Sequence, residues 1–162
     1  MRFAYLLSFG LIGWAFLLIR DAMPRLPSRI PIHFRADGTA NGWGTPQELW
    51  RILAMQVVVT LLLLVLPLLC RSVPSLVHIG RRKLADFSPE SREQVLSFGL
   101  GLTAMICLCV NAMFTYAIHG IIRASFEPGR GLPTLPMWIF LAAILGVFAW
   151  AAWKAHQLAR IQ

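Results

Sequence analysis

Carboxylates are scarce in this chain. Its 162 residues hold seven Asp and Glu against fifteen Lys and Arg, and no charged side chain of either sign enters four long apolar runs. A run without a carboxylate has no acid–base pair of that kind, so carboxylate catalysis inside these runs is excluded. Cysteine is scarce as well, with only Cys70, Cys107 and Cys109. Cys107 and Cys109 are two positions apart, which on a helix points them roughly 200° apart. They can neither chelate one ion together nor form a disulfide with each other. No Cys-x-x-Cys-His haem attachment site, no metalloprotease motif and no Ser/His pair at useful spacing occurs. The net charge of +8 comes from Lys and Arg scattered over every loop. There is no aromatic-rich basic domain, so nucleic acid is not the expected partner.

What remains is apolar. Hydrophobic residues make up 57% of the chain and charged residues 14%, with a mean hydropathy of +0.66; a soluble domain carries roughly 25% charge. Charge-free runs of about 18 residues or more read as bilayer-spanning helices. They fall at about 3–19, 52–70, 95–122 and 135–153. The first resembles a signal peptide in its opening Arg2, but its apolar stretch exceeds the usual core and no Ala-x-Ala-like site follows. It is expected to stay as an anchor helix. The expected fold is therefore all-α and integral to a membrane, with four transmembrane helices and a structured proline-rich loop between the first two. The expected organisation is a two-helix module over 1–70 with its loop at about 20–45, a basic loop and helix start over 71–94, and a two-helix hairpin over 95–162.

That first loop carries the densest pattern. Pro24, Pro27 and Pro31 remove backbone donors and push the residues before them towards extended geometry. Ile30, Ile32 and Phe34 alternate with Pro31 and His33, the period of a strand. Asp37-Gly38 supplies the positive φ of a tight reversal, and Asn41-Gly42 is a second turn signal. The loop is expected to fold back between Phe34 and Trp43 as a hairpin or clasp. Thr45-Pro46-Gln47-Glu48 then reads as a helix start, with Thr45 as cap, Pro46 first and Glu48 returning a bond. Trp43 and Trp50 are expected at headgroup depth.

The order Leu26-Pro27-x-x-Ile30-Pro31-x-His33-Phe34, then Gly38, then Gly42-Trp43-Gly44, resembles the membrane-protein family known as domain of unknown function 1648. The module also forms the N-terminal part of the Sdp-type immunity proteins. The resemblance runs from about Phe3 to Leu66. It implies a loop outside the cytoplasm and an immunity- or signalling-like role in which Pro27, Pro31, His33, Phe34, Asp37, Gly38 and Trp43 meet a partner or ligand. Arg35 stands where members often show Asn, and Pro46 where they often show Lys. The third and fourth spans show no match to the rest of the immunity proteins.

In the third span Gly99, Thr103, Cys107, Asn111, Thr115 and His119 recur every four residues as one ridge of small or polar side chains. Such ridges let helices approach closely in lipid. The fourth span offers Ala142 and Gly146 as a complement for packing. A second reading takes Asn111, Thr115 and His119 as a polar site. The third span ends on the side of the first loop, so His33 and His119, with Asp37, face one compartment and could form a metal or proton site; His33 as a packing or capping residue is the plainer alternative. No metal or other cofactor is assigned.

The fifteen Lys and Arg divide almost evenly between the two sides. The cluster Arg81-Arg82-Lys83 is the strongest retention signal and places the termini in the cytoplasm. Ser88-Pro89-Glu90 reads as the start of the third helix, and Trp150, Trp153 and Lys154 as an interfacial anchor. The expected protein is thus a non-catalytic, multi-pass protein of the bacterial inner (cytoplasmic) membrane. Its contacts are the lipid bilayer and a protein partner or ligand at the outer loop. The alternative is an accessory structural subunit of a larger membrane complex. An enzyme is not expected, and a transporter would show broken helices or internal repeats, neither of which is visible.

Overall fold

In the computed structural model, residues 2–79, 82–127, 129 and 131–160 are described. Four helices follow the four apolar runs: α1 (Arg2–Ala22), α2 (Glu48–Ser72), α3 (Pro89–Phe126) and α4 (Leu135–Arg160). Each contains a stretch long and apolar enough to cross a membrane. The helix α3, 38 residues long, extends about 57 Å at 1.5 Å per residue. It therefore outruns a hydrocarbon core of roughly 30 Å. Its start lies where Ser88-Pro89 predicts: the Ser88 hydroxyl accepts from the Ser91 amide at 3.3 Å. The start of α2 differs from expectation. Neither Thr45 nor any other side chain caps it; a 3₁₀-like turn leads in, with Glu48 N bonded to Thr45 O at 3.0 Å. The Glu48 carboxylate pairs instead with Arg51 at 2.6 Å.

Helices α1, α2 and α3 pack into one bundle, and α4 lies mainly along α3. Lipid is as apolar as leucine, so packing and hydrogen bonds, rather than water exclusion, must hold such a bundle. The interior meets that need with polar groups. Gln56 and Thr60 of α2, with Asn111 and Thr115 of α3, are all buried. Gln56 Nε2 donates to Asn111 Oδ1 at 2.9 Å and to Thr115 Oγ1 at 3.2 Å. Asn111 Nδ2 donates to Thr60 Oγ1 at 2.9 Å and to the Cys107 carbonyl at 2.9 Å. Thr115 reaches α1 through the Leu11 carbonyl at 3.3 Å. A turn away, the Tyr5 hydroxyl meets Thr103 Oγ1 at 3.1 Å. It also points at the Leu63 carbonyl, 3.5 Å away, which is the carbonyl that Pro67 inside α2 leaves without its helical N–H.

The small-residue ridge of α3 therefore faces α1 and α2, and not α4. Ala142 and Gly146 are exposed, and a Cβ built at Gly99 or Gly146 would meet nothing within 4 Å. Helix α4 packs through aromatics instead: Phe98 on Trp150 at 5.3 Å and Tyr116 on Phe140 at 6.3 Å.

At the end of the bundle where α1 stops and α2 begins, the proline-rich loop folds as an antiparallel hairpin of β1 (Ile30–Phe34) and β2 (Ala40–Gly44). The chain reverses at Asp37-Gly38, where Gly38 has φ +87°. Asn41-Gly42 is not a second turn. It lies within β2, with Gly42 opposite His33 at an irregular register. Ile30 is fully buried among Ala15, Ile19, Ala22, Leu49, Leu53 and Ile118, so the hairpin caps the bundle. The second, basic loop carries a short hairpin of β3 (His78–Ile79) and β4 (Arg82–Lys83). Arg81 of the basic cluster, and Arg130, lie outside the described residues.

Replacing Asn111 with Ala removes the acceptor of Gln56 and the donor to Thr60 while leaving their polar atoms inside the bundle. The expected cost is about 1–2 kcal/mol. Thermal unfolding in detergent should show the loss, with Thr115→Val, which removes weaker bonds, falling between the variant and wild type.

Candidate functional site

The hairpin is held from two directions. Beneath it, Ile30 and Pro31 are buried on the bundle. Above it, the segment joining α3 to α4 straps its tip: Leu132 N–H donates to the Gly38 carbonyl at 2.9 Å. Leu132 is 5% exposed and its side chain lies over Gly120 of α3, where a Cβ would collide with it. Gly38 serves twice: its left-handed φ closes the turn, and the missing Cβ admits the Leu132 carbonyl. The turn is stitched by Asp37, whose Oδ1 accepts from the Thr39 amide at 2.9 Å and the Thr39 hydroxyl at 2.7 Å. These bonds, the amide foremost, and then the nearby Arg35 charge hold the Asp37 carboxyl below its ordinary value of 3.8.

Between this strapped hairpin and helices α3 and α4 lies a cavity of about 580 Å³. Its roof is the hairpin edge from Ile32 to Ala36. Its walls include Met113, Phe114 and Ala117 of α3, and Met137, Trp138 and Leu141 of α4. All six wall residues belong to charge-free stretches. The charged and titratable groups of the lining are Arg35 and His33, both on the roof. Among the described residues, the Arg35 guanidinium has no hydrogen-bond or ion-pair partner. His33 Nδ1 bonds the Asn41 side-chain oxygen across the hairpin.

Residues 9–60 match the family model described as domain of unknown function (DUF1648). This segment is similar to the DUF1648 module. No curated protein and no solved structure matches the chain. The DUF1648 match takes in most of α1, the whole hairpin and the first half of α2 up to Thr60. It therefore includes the roof of the cavity and the α2 half of the buried polar network. The walls contributed by α3 and α4 lie outside it.

The structure distributes the residues singled out from sequence over distinct places. His33 and Phe34 line the cavity under the roof. Pro27, Pro31 and Trp43 line a second hollow of about 550 Å³ on the far face of the DUF1648 hairpin, with Arg29 and Ser125. His119 is exposed and lines a third, of about 270 Å³, with Asp21, Arg25 and Phe126. His33 and His119 thus line different hollows and are not brought into one site. Asn111 and Thr115 join the buried network, and His119 does not. Among the described residues no three His, Cys, Asp or Glu side chains converge as a metal site would require. Sequence reasoning passed over Gln56 and Thr60, although two polar residues four apart in a charge-free span are a legible signal of an interior face. It also passed over Gly120, Leu132 and the α4 wall, for which no local pattern exists.

Two outcomes check this geometry. Gly38→Ala forces a left-handed alanine and pushes the Leu132 carbonyl away, so the strap should loosen at a cost of at least about 1–2 kcal/mol. Faster hydrogen exchange at the Leu132 amide would report it. For Asp37, a depressed folded-state pKa means that its stabilisation of the turn is complete above pH 3.8 and is lost as the pH falls through the lower folded value. Protection of the Thr39 amide, taken relative to its intrinsic exchange rate at each pH, should fall over that acid range in wild type, and Asp37→Asn should abolish that fall.

Proposed function

We propose that this chain is a non-catalytic, multi-pass protein of the bacterial inner membrane whose hairpin receives a ligand on the extracytoplasmic side, in an immunity- or signalling-like role. The observation that carries the reading is the cavity of about 580 Å³ beneath the DUF1648 hairpin. It falls within the roughly 300–1,000 Å³ of small-ligand sites, and an apolar interior with a few polar groups at one end is the usual make-up of such sites. Two features favour binding over turnover. The lining contains no carboxylate, cysteine or serine, and His33 is engaged with Asn41. The roof is held in place by the buried Ile30 and by the Leu132–Gly38 bond, so it is preorganised for an occupant. The retention signal Arg81-Arg82-Lys83 argues for cytoplasmic termini and hence for an outer hairpin.

One observation favours the accessory-subunit reading. Helix α4 buries little and exposes Trp138, Ile139, Leu145 and Phe148. Lipid covers such a face as readily as a second protein does, so the cavity decides the preference.

The test is native mass measurement of protein extracted in mild detergent. Wild type should carry a bound small molecule, and Ala117→Trp, which fills the cavity from the α3 wall, should carry at least about tenfold less. Equal loads in both proteins would overturn the reading. Recovery of wild type only with unlike subunits would move the assignment to the accessory role.

A further inference from the structure

We infer that the occupant of this cavity is an acyl chain of an anionic bilayer lipid, with its phosphate held at the mouth by Arg35. The inference rests on the ligand-binding reading above and names its chemistry. The wall residues Met113, Phe114 and Ala117 on α3 and Met137, Trp138 and Leu141 on α4 are aliphatic, aromatic or thioether side chains within membrane-spanning segments. A chain with no hydrogen-bonding capacity suits such walls, because any buried polar group there would go unpaired. The lining differs at Arg35 and Thr134: Arg35 is exposed and so lies at an open edge of the cavity, and no described residue bonds the guanidinium or the Thr134 hydroxyl.

Several cations at this membrane face have partners, and the exposed Arg29 and Arg123, whose side chains have no bond among the described residues, do not line this cavity. Arg20 is paired with Asp21 at 2.8 Å, and Arg51 with Glu48 at 2.6 Å. Arg25 bonds the Asp21 carbonyl at 3.2 Å and lies over the Phe126 ring. Asp37, the acid nearest in sequence to Arg35, accepts two bonds from Thr39. Arg35 is thus an exposed cation at the edge of an apolar slot, and its five fixed donors have no hydrogen-bond or ion-pair partner among the described residues. The Asp37 carboxylate feels its charge but is bonded to Thr39. A planar guanidinium matches a phosphate diester in both charge and geometry. A zwitterionic choline lipid offers the same phosphate with its charge cancelled, so the site should discriminate between the two. The α4 wall keeps one side of the slot in contact with the bilayer, so the lipid enters laterally and needs no route through water.

The experiment uses the full chain in mild detergent, supplied with palmitoyl-oleoyl phosphatidylglycerol or the phosphatidylcholine of identical chains, and counts bound lipid by native mass spectrometry. Wild type should retain the glycerol lipid about fivefold more than the choline lipid, the effect of one basic residue on an anionic headgroup. Arg35→Ala should bring the two to parity, Arg35→Lys should keep part of the preference, and Arg29→Ala, on the opposite face of the hairpin, should leave it intact. Ala117→Trp should lower retention of both lipids. Three results would overturn the inference: no headgroup preference in wild type, a preference that survives Arg35→Ala, or one that Arg29→Ala weakens equally. If the preference is absent while Ala117→Trp still empties the cavity, the binding reading stands and only the lipid assignment falls. If Ala117→Trp changes nothing, both fall. Saturation of the cavity by a peptide in place of lipid would also refute the assignment.

Discussion

The side-chain amide of Asn111, buried in the bundle and bonded in both directions, is the contact on which the rest of the structure leans. Helices in lipid gain little from hiding apolar surface, because the solvent is apolar too. A polar group placed between them changes that balance, since leaving it unpaired in such a medium is costly. Asn111 takes the Gln56 amide on its oxygen and gives its own N–H groups to Thr60 and to the Cys107 carbonyl. Sliding α2 along α3 by a turn would break the bonds to Gln56 and Thr60 together, while the Cys107 bond, which lies within α3, holds the Asn111 side chain in place. Thr115 extends the same constraint to α1 through the Leu11 carbonyl. The axial register of three helices is therefore held by four side chains, and apolar packing fills in around it.

That register has consequences at the hairpin. With α1, α2 and α3 locked, Ala22, Leu49 and Ile118 meet at one end and form the seat that buries Ile30. A hairpin pinned only there would be free to tilt about its base. The Leu132–Gly38 bond supplies the second point of attachment, and the Leu132 side chain lies over Gly120 to seat the strap on α3. The roof of the cavity is thus held at its base by the bundle and at its tip by the connector between α3 and α4. Helix α4 follows from that same connector and packs on α3 through Phe98–Trp150 and Tyr116–Phe140.

The cavity inherits a division of labour from its parts. Helical walls drawn from charge-free stretches can offer only apolar and weakly polar atoms, while a loop at the membrane face can carry Arg35 and His33 without burying a charge in lipid. Chemistry is therefore confined to the rim. The same logic keeps the Gln56–Asn111 network apart from the cavity: its polar atoms are consumed in holding the bundle. The one exception is Gln56 Oε1, which has no described partner.

Much of the architecture was legible in the amino-acid order, because the features concerned are decided locally. A run without charge dissolves in lipid whatever its neighbours do, so 52–70 and 135–153 announced α2 and α4 directly. Three prolines and Asp37-Gly38 dictate backbone angles by their own covalent chemistry, so the hairpin and its turn were readable, as was the Ser88 cap of α3. What tertiary structure alone decided depends on distant partners. Asn41-Gly42 carries a turn signal, but pairing with β1 draws it into a strand. The ridge on α3 was visible, yet its mate is Gln56 and Thr60 on α2, not Ala142 and Gly146, because a helix face does not encode which neighbour will meet it. His33 and His119 share a membrane side but are drawn into separate hollows. Gly38 and Leu132 lie 94 positions apart, and only the packed bundle brings the carbonyl of one to the amide of the other. A hydrogen bond between residues far apart in the chain has no local precursor; it exists only once the intervening helices have found their register.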